Sequence, residues 1–229
     1  MAELWVANAG RVPYADAVAL QDAVRARRQA GEIPDSLLLL EHPPVYTKGR
    51  RTEPGELPMG EDWYRMQGIE VAETTRGGRA TYHGPGQLVG YPIMGISDVI
   101  EFVRTMERAL IAALVDEGVH AEVREGLTGV WAGERKIGSI GVHVSRGVTM
   151  HGFAINVDND LQPFEWIVPC GIENVRMTSL HKETGRIDPM ACFRKRVAWR
   201  FAEAYGLRQR IVSLDRLRGT TPAVVSVVA

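Results

Sequence analysis

The sequence predicts an α+β fold, a mixed and largely antiparallel β-sheet with helices packed on it. Three observations lead there. Strand-like segments outnumber helical ones. Several adjoining strands are separated by short glycine turns, so the chain is not a strict β-α alternation. The helical stretches are few, and the two longest, at 14–30 and 98–117, each carry an apolar stripe at helical spacing.

Taken in order, Leu4–Ala7 is a short apolar strand. Tyr14–Ala30 is a helix with Ala17, Leu20 and Val24 on one face and Gly31 as its stop. The unbroken apolar run Leu37–Leu40 reads as a buried strand, broken by His42-Pro43-Pro44 and resumed at Val45–Thr47. Residues 52–60 form a loop, and Asp62–Gln67 one or two helical turns. Ile69–Ala72, Arg79–His83 and Gln87–Met94 are strands between glycine turns. Ser97 is the expected N-cap of a helix from Asp98 to Glu117, with Val99, Phe102, Val103, Met106, Leu110, Ala113 and Leu114 as its stripe. Strands follow at 121–124, 128–132, 136–144 and 149–157, then a loop from Pro163 to Gly171 and a helix from Ala191 to Tyr205 ended by Gly206. One domain is expected over 1–218, with a mobile tail over 219–229.

Composition narrows the function. With 229 residues, 27 Lys+Arg and 28 Asp+Glu, the formal net charge of −1 disfavours a nucleic-acid binder acting through its whole-chain field. Two cysteines exclude a disulfide scaffold and a thiolate zinc site, and point to a reducing compartment. The N-terminus lacks a basic, apolar leader, and no apolar run approaches a membrane span, so a cytoplasmic protein is expected. Glycine, by contrast, is in surplus: 24 residues, 14 of them between Gly77 and Gly152. Such clusters mark turns or close approach of backbone to a ligand.

Three segments in and after that stretch carry candidate chemistry. In Arg76–Gln87, adjacent glycines sit among an arginine, a tyrosine and a histidine. This is either a hairpin with surface polar groups or a backbone cradle for a ligand. In Lys136–Val144, strand alternation places Lys136 on the face of Gly138, Ile140, Val142 and Val144. Its amine either snorkels from the strand end or is desolvated in a pocket, where it becomes a usable base. Pro169-Cys170-Gly171 is a tight loop sequence rather than a core one, which makes Cys170 the candidate nucleophile. Cys192, beside Phe193 in the last helix, suits packing. His151 shares a strand face with Phe153, Ile155 and Val157 and is expected as a pocket wall. The six histidines show no metal-ligand spacing, and Gly77-Gly78 lacks that of a dinucleotide loop.

Together, Leu40–Thr47, Arg76–Pro92, Lys136–Gly141, His151–Asp158, Pro163-Phe164 and Ile167–Ile172 resemble one family, the lipoyl(octanoyl) transferases. The likeness covers residues 4 to 205. It implies a catalytic domain like that of biotin and lipoate ligases, and an acyltransferase that needs no cofactor. An octanoyl group would pass from acyl carrier protein to Cys170, and then to a lysine of lipoyl domains, such as those of 2-oxoacid dehydrogenase complexes and the glycine cleavage H protein. The resemblance makes Lys136 the acid/base partner of Cys170. Arg76, Gly77, Gly78, Arg79, Ala80, Thr81, Tyr82, His83, Ser139, Ile140, Gly141, His151, Gly152, Phe153 and Ala154 would bind substrate. The chain departs from the family's usual residues at Arg79-Ala80 and Gly138, both expected in the pocket wall. Arg25, Arg27, Arg28, Arg50, Arg51, Arg194, Lys195 and Arg196 are candidate contacts for an acidic carrier, Arg50-Arg51 foremost. Two other functions fit parts of the pattern. An ATP-dependent lipoate ligase needs no cysteine, and a non-catalytic carrier-binding module needs neither Cys170 nor Lys136.

Overall fold

A computed structural model describes residues 1–172, 174–187 and 189–220. It contains β1 (Glu3–Arg11), α1 (Tyr14–Gln29), β2 (Asp35–Glu41), β3 (Val45–Lys48), α2 (Glu61–Met66), β4 (Glu70–Glu73), β5 (Thr81–His83), β6 (Gln87–Ile93), α3 (Val99–Val115), β7 (Glu122–Arg124), β8 (Leu127–Ala132), β9 (Arg135–Ser145), β10 (Val148–Asn156), β11 (Arg176–Met177), α4 (Leu180–Thr184), α5 (Met190–Ala204), β12 (Arg208–Ile211) and α6 (Leu214–Arg218). The main sheet runs β12-β1-β2-β6-β10-β9-β8-β7, with β11 also on β9, and a small sheet runs β4-β3-β5. The β1–β2, β1–β12, β11–β9 and β3–β4 pairs are parallel and the remaining ladders antiparallel, the mixed α+β layering that the sequence predicts.

The run Leu37–Leu40 is apolar throughout because β2 is covered on both faces. Leu37 and Leu39 join a core with α3 and α5, whereas Leu38 and Leu40 join one with α1 and α6. On the first face Phe102, Met106, Leu110 and Leu114 of α3 meet Phe193, Val197 and Phe201 of α5. On the second, Ala17, Leu20 and Val24 of α1 lie against Val89, Tyr91 and Ala154. A third, aromatic core of Tyr46, Tyr64, Tyr82 and Phe164 ties the small sheet to the 161–167 loop.

Four local expectations are corrected. Asp98, not Ser97, caps α3, its carboxylate accepting the amides of Ile100 and Glu101. Val99 is exposed, because the apolar stripe starts one turn later at Phe102. Cys192 is exposed on α5; one step along a helix turns about 100°, so its neighbour Phe193 takes the buried position alone. Gly219 and Thr220 are not a tail but the end of α6, with Gly219 in the left-handed C-cap and the Thr220 amide donating to Asp215. Positions 221–229 lie outside the described residues.

Candidate active site

The loop at Cys170 is held in an unusual shape. Cys170 has φ +60° and Gly171 φ +66°, two successive left-handed residues. An L-residue there costs about 1–3 kcal/mol and persists only where its surroundings fix it. The Cys170 amide donates to the Ala80 carbonyl at 2.8 Å, and the Val168 amide to the Glu56 carbonyl at 2.9 Å. A Cβ on Gly171 would lie 2.1 Å from Cδ of Arg79, so only glycine admits that side chain.

Lys136 reaches the same point from β9, only 2% exposed. Alternation alone would put Lys136 and Ser139, three residues apart, on opposite faces. A bulge resolves this. Val130 pairs with Gly138 but Trp131 with Lys136, leaving Ile137 as the extra residue. Ile137 enters the main core, against which Ile140 and Val142 also pack, and Lys136 is turned toward Cys170 with Ser139. Lys136 is therefore not on the face of Gly138, Ile140, Val142 and Val144, as uninterrupted alternation predicts. The strand is pinned by the Thr178 amide on the Lys136 carbonyl, and the ammonium lies 5.5 Å from the ring centroid of Trp131.

Ser139 Oγ is 3.8 Å from Cys170 Sγ. Burial pushes the thiol's pKa up, but the charge and hydrogen bond of Lys136, the Ser139 hydroxyl and the Arg76 charge together outweigh it. The net direction is downward, which raises the thiolate share above that of a free thiol.

Arg76 is 8% exposed and donates to uncharged oxygens: the carbonyl and hydroxyl of Thr47 and the carbonyl of Gly77. The Thr47 hydroxyl stands 3.3 Å from Nε2 of His83. Gln87 donates its amide to Tyr82 and Asn156, so its oxygen takes the Nδ1 proton of His83 at 2.7 Å, and Nε2 is left as the acceptor of the Thr47 hydroxyl. His151 has φ +57°, which turns it off the Phe153 face and beside Tyr91, with ring centroids 6.2 Å apart. Its amide leaves the ladder for Gln21 of α1. The shared face expected with Phe153, Ile155 and Val157 is thus overturned by one backbone torsion.

These groups enclose a cavity of about 330 Å³. From the first loop it takes Arg76, Gly77, Gly78, Arg79, Thr81 and His83; from β9 Lys136, Ser139, Ile140 and Gly141; from β10 His151, Gly152, Phe153 and Ala154; and Cys170 itself. The glycine-rich loop lies directly on β9, where a Cβ at Gly141 would meet the Gly77 carbonyl at 2.7 Å. Two expected members lie elsewhere. The Ala80 amide is bonded to Glu56, and the Tyr82 ring belongs to the aromatic core. Gly138 is also not in the wall, since a Cβ there would press on Ile155 of the main core. Sequence reasoning missed Tyr14, Arg51, Val89, Tyr91, Val103, Gly126 with the start of β8 (Leu127 and Thr128), Val142 and Ile172 as lining residues.

The family model of the lipoyl protein ligase A/B catalytic domain matches residues 13–202. The chain belongs to the lipoyl protein ligase A/B catalytic-domain family. Within it, the chain is 50% identical over 190 residues to an octanoyltransferase of Mycolicibacterium smegmatis, covering 79% of this chain and 80% of that one. It is 46% identical over 201 residues to an octanoyltransferase of Rubrobacter xylanophilus, covering 86% and 91%. Among solved structures, a bipartite lipoate protein ligase of Thermoplasma acidophilum, described with its E2 lipoyl domain, superposes with TM-score 0.76 at 19% identity, covering 96% of this chain and 91% of that one. Lipoate-protein ligase A bound with ATP gives 0.71 at 18%, covering 95% and 92%. These two likenesses are of fold, and they agree with the catalytic-domain architecture expected from the sequence.

Proposed function

We propose that the protein is an octanoyltransferase that carries the acyl group on Cys170. The observation that carries this reading is a thiol on a strained loop, its pKa lowered by a buried lysine, opening into a cavity within the usual ligand-pocket range of about 300–1,000 Å³. In the first half-reaction the Cys170 thiolate attacks the thioester carbonyl of octanoyl-acyl carrier protein. The tetrahedral intermediate expels the carrier thiolate, which takes a proton from Lys136. In the second, a lipoyl-domain lysine attacks the Cys170 thioester, Lys136 accepts the amine proton, and Cys170 leaves as the amide forms. Thioester exchange is near-balanced and amide formation downhill, so no ATP enters. Arg50 and Arg51 are exposed, and Arg51 lines the cavity, which suits them to receive an acidic carrier at its mouth. Arg25, Arg27, Arg28 and Arg196 instead pair with carboxylates of this chain.

Intact mass after incubation with octanoyl-acyl carrier protein tests the reading. One octanoyl adduct is expected, lost in Cys170→Ala and kept in Cys192→Ala. An adduct on Cys192, or transfer that requires ATP, overturns it. In Lys136→Ala the pH midpoint of Cys170 alkylation should rise, because the cation that lowers the thiol's pKa is gone. An unchanged profile removes Lys136 from its role.

A further inference from the structure

Glu56 stands at the junction of three tethers on the Cys170 loop, yet it lies in a short helical turn, Pro54–Glu56, far along the chain from both Lys136 and Cys170. It is 3% exposed. Its Oε2 accepts the Ala80 amide at 2.9 Å, and the carbonyl of the same residue, Ala80, accepts the Cys170 amide. Its Oε1 accepts Arg79 Nη1 at 2.6 Å, and the Arg79 stem is the group that lies on Gly171. Its own carbonyl accepts the Val168 amide. Glu56 is thus tied to the loop before the nucleophile, at the nucleophile and after it. Glu53 joins from outside, pairing with the other Arg79 nitrogen.

A buried carboxylate is costly unless it is paired and hydrogen-bonded, and here both conditions are met. The arrangement also meets the condition that a left-handed, non-glycine nucleophile imposes. Cys170 keeps φ +60° only if the residues on both sides are fixed; the fixing groups converge on one residue, the Glu56 carboxylate holding Ala80 and Arg79 and its backbone carbonyl holding Val168.

We propose that Glu56 is a positioning residue for Cys170, holding the thiol where Lys136 and Ser139 can act on it. The role in transfer rests on the acyl-thioester reading above; the role in setting the thiol does not. Without the carboxylate, the Ala80 peptide and the Arg79 stem are released together, Cys170 relaxes from the left-handed region, and Sγ withdraws from the Lys136 ammonium.

Glu56→Gln is the direct test, since it keeps shape but places an amide against either Arg79 or the Ala80 N–H. The pH dependence of Cys170 alkylation by iodoacetamide is read first. Its midpoint should rise by about one unit, part of the roughly 1–3 units that a neighbouring opposite charge contributes. The rate of octanoyl transfer at neutral pH should fall at least about tenfold, with KM for the carrier changed less than about twofold, because carrier contacts are untouched. A folded Glu56→Gln with the wild-type alkylation midpoint overturns the proposal, whatever its transfer rate. If that variant does not fold, Arg79→Gln/Glu56→Gln, which removes both charges together, carries the same two readings and the same overturning result. If wild-type enzyme forms no octanoyl adduct, the transfer reading fails while the alkylation comparison still decides the role of Glu56.

Discussion

Cys170 and Gly171 turn the chain twice through the left-handed region, and the second turn has no room for a side chain. Gly171→Ala therefore places a methyl on Arg79 Cδ in a torsion that alanine resists. It should lower stability by about 1–3 kcal/mol and, by displacing Arg79 from Glu56, slow transfer as well. Urea unfolding and transfer rates measured on the same sample check both, and a variant with wild-type values in each contradicts the account of the loop. Cys192→Ala, on an exposed helix face, should stay within about 0.5 kcal/mol of the parent. The contrast shows what a sequence gives at this scale. Pro169-Cys170-Gly171 was legible because a cysteine between a proline and a glycine has no regular element to pack in. The role proposed for Glu56 was not, because its partners lie 23, 24 and more than 100 positions away. Lys136 was legible as a residue to watch but not as to its direction, since its face depends on which residue of β8 it opposes.

That dependence belongs to the elements. The bulge between β8 and β9 has no local signature in Lys136–Gly141, and it arises because Ile137 finds the main core across a register shift. The long elements α1, α3, α5, β2, β6, β9 and β10 follow their own periodicity and were readable to within a few residues. Of the short ones, α2, β3, β4, β5, β7 and β8 were readable as well, whereas β11, β12, α4 and α6 were not. β11 and β12 exist by parallel pairing to β9 and β1, and α4 and α6 are single turns set by the caps Ser179 and Ser213. Within α3 the two kinds of stabilisation can be ranked. Asp98→Ala removes a cap that holds two amides and should cost about 1 kcal/mol. Leu110→Ala opens a cavity at a fully buried site between helix and sheet and should cost about 2–5 kcal/mol. Denaturant midpoints at constant slope measure both. If the cap proves the costlier loss, α3 is held by its end and not by its seam with α5.

Across the whole molecule, three histidines, His42, His83 and His151, are buried as neutral rings, the last two in the cavity lining, and they govern its response to acid. Burial lowers His42 to about 4 and His151 to about 3, and takes His83 well below its ordinary value, with the Arg76 charge adding to the effect on the last two. His42 shows why protonation is resisted. Its Nδ1 must donate to the Val12 carbonyl, so its Nε2 is occupied as the acceptor of the Tyr91 hydroxyl at 2.7 Å. A group with a depressed folded pKa contributes stability that is complete above its unfolded value, about 6.5 here, and is lost as pH falls toward the folded one. By pH 5 the unfolded chain holds about three protons that the native chain refuses, about half of them already bound at pH 6.5, and His143, lowered more modestly, acts in the same direction. The unfolding free energy should then fall by about 4 kcal/mol per pH unit near pH 5, at about 1.4 kcal/mol per proton. Urea unfolding at a series of pH values gives this slope directly. His42→Gln should reduce it by about one proton, even though the variant is less stable at every pH, because the slope counts protons and not contacts. A slope near zero in the wild type, or an unchanged slope in His42→Gln, would mean that these rings charge without unfolding the protein. Since His83 and His151 line the cavity that holds Cys170, acid loss of the fold and acid loss of the site should then follow one curve.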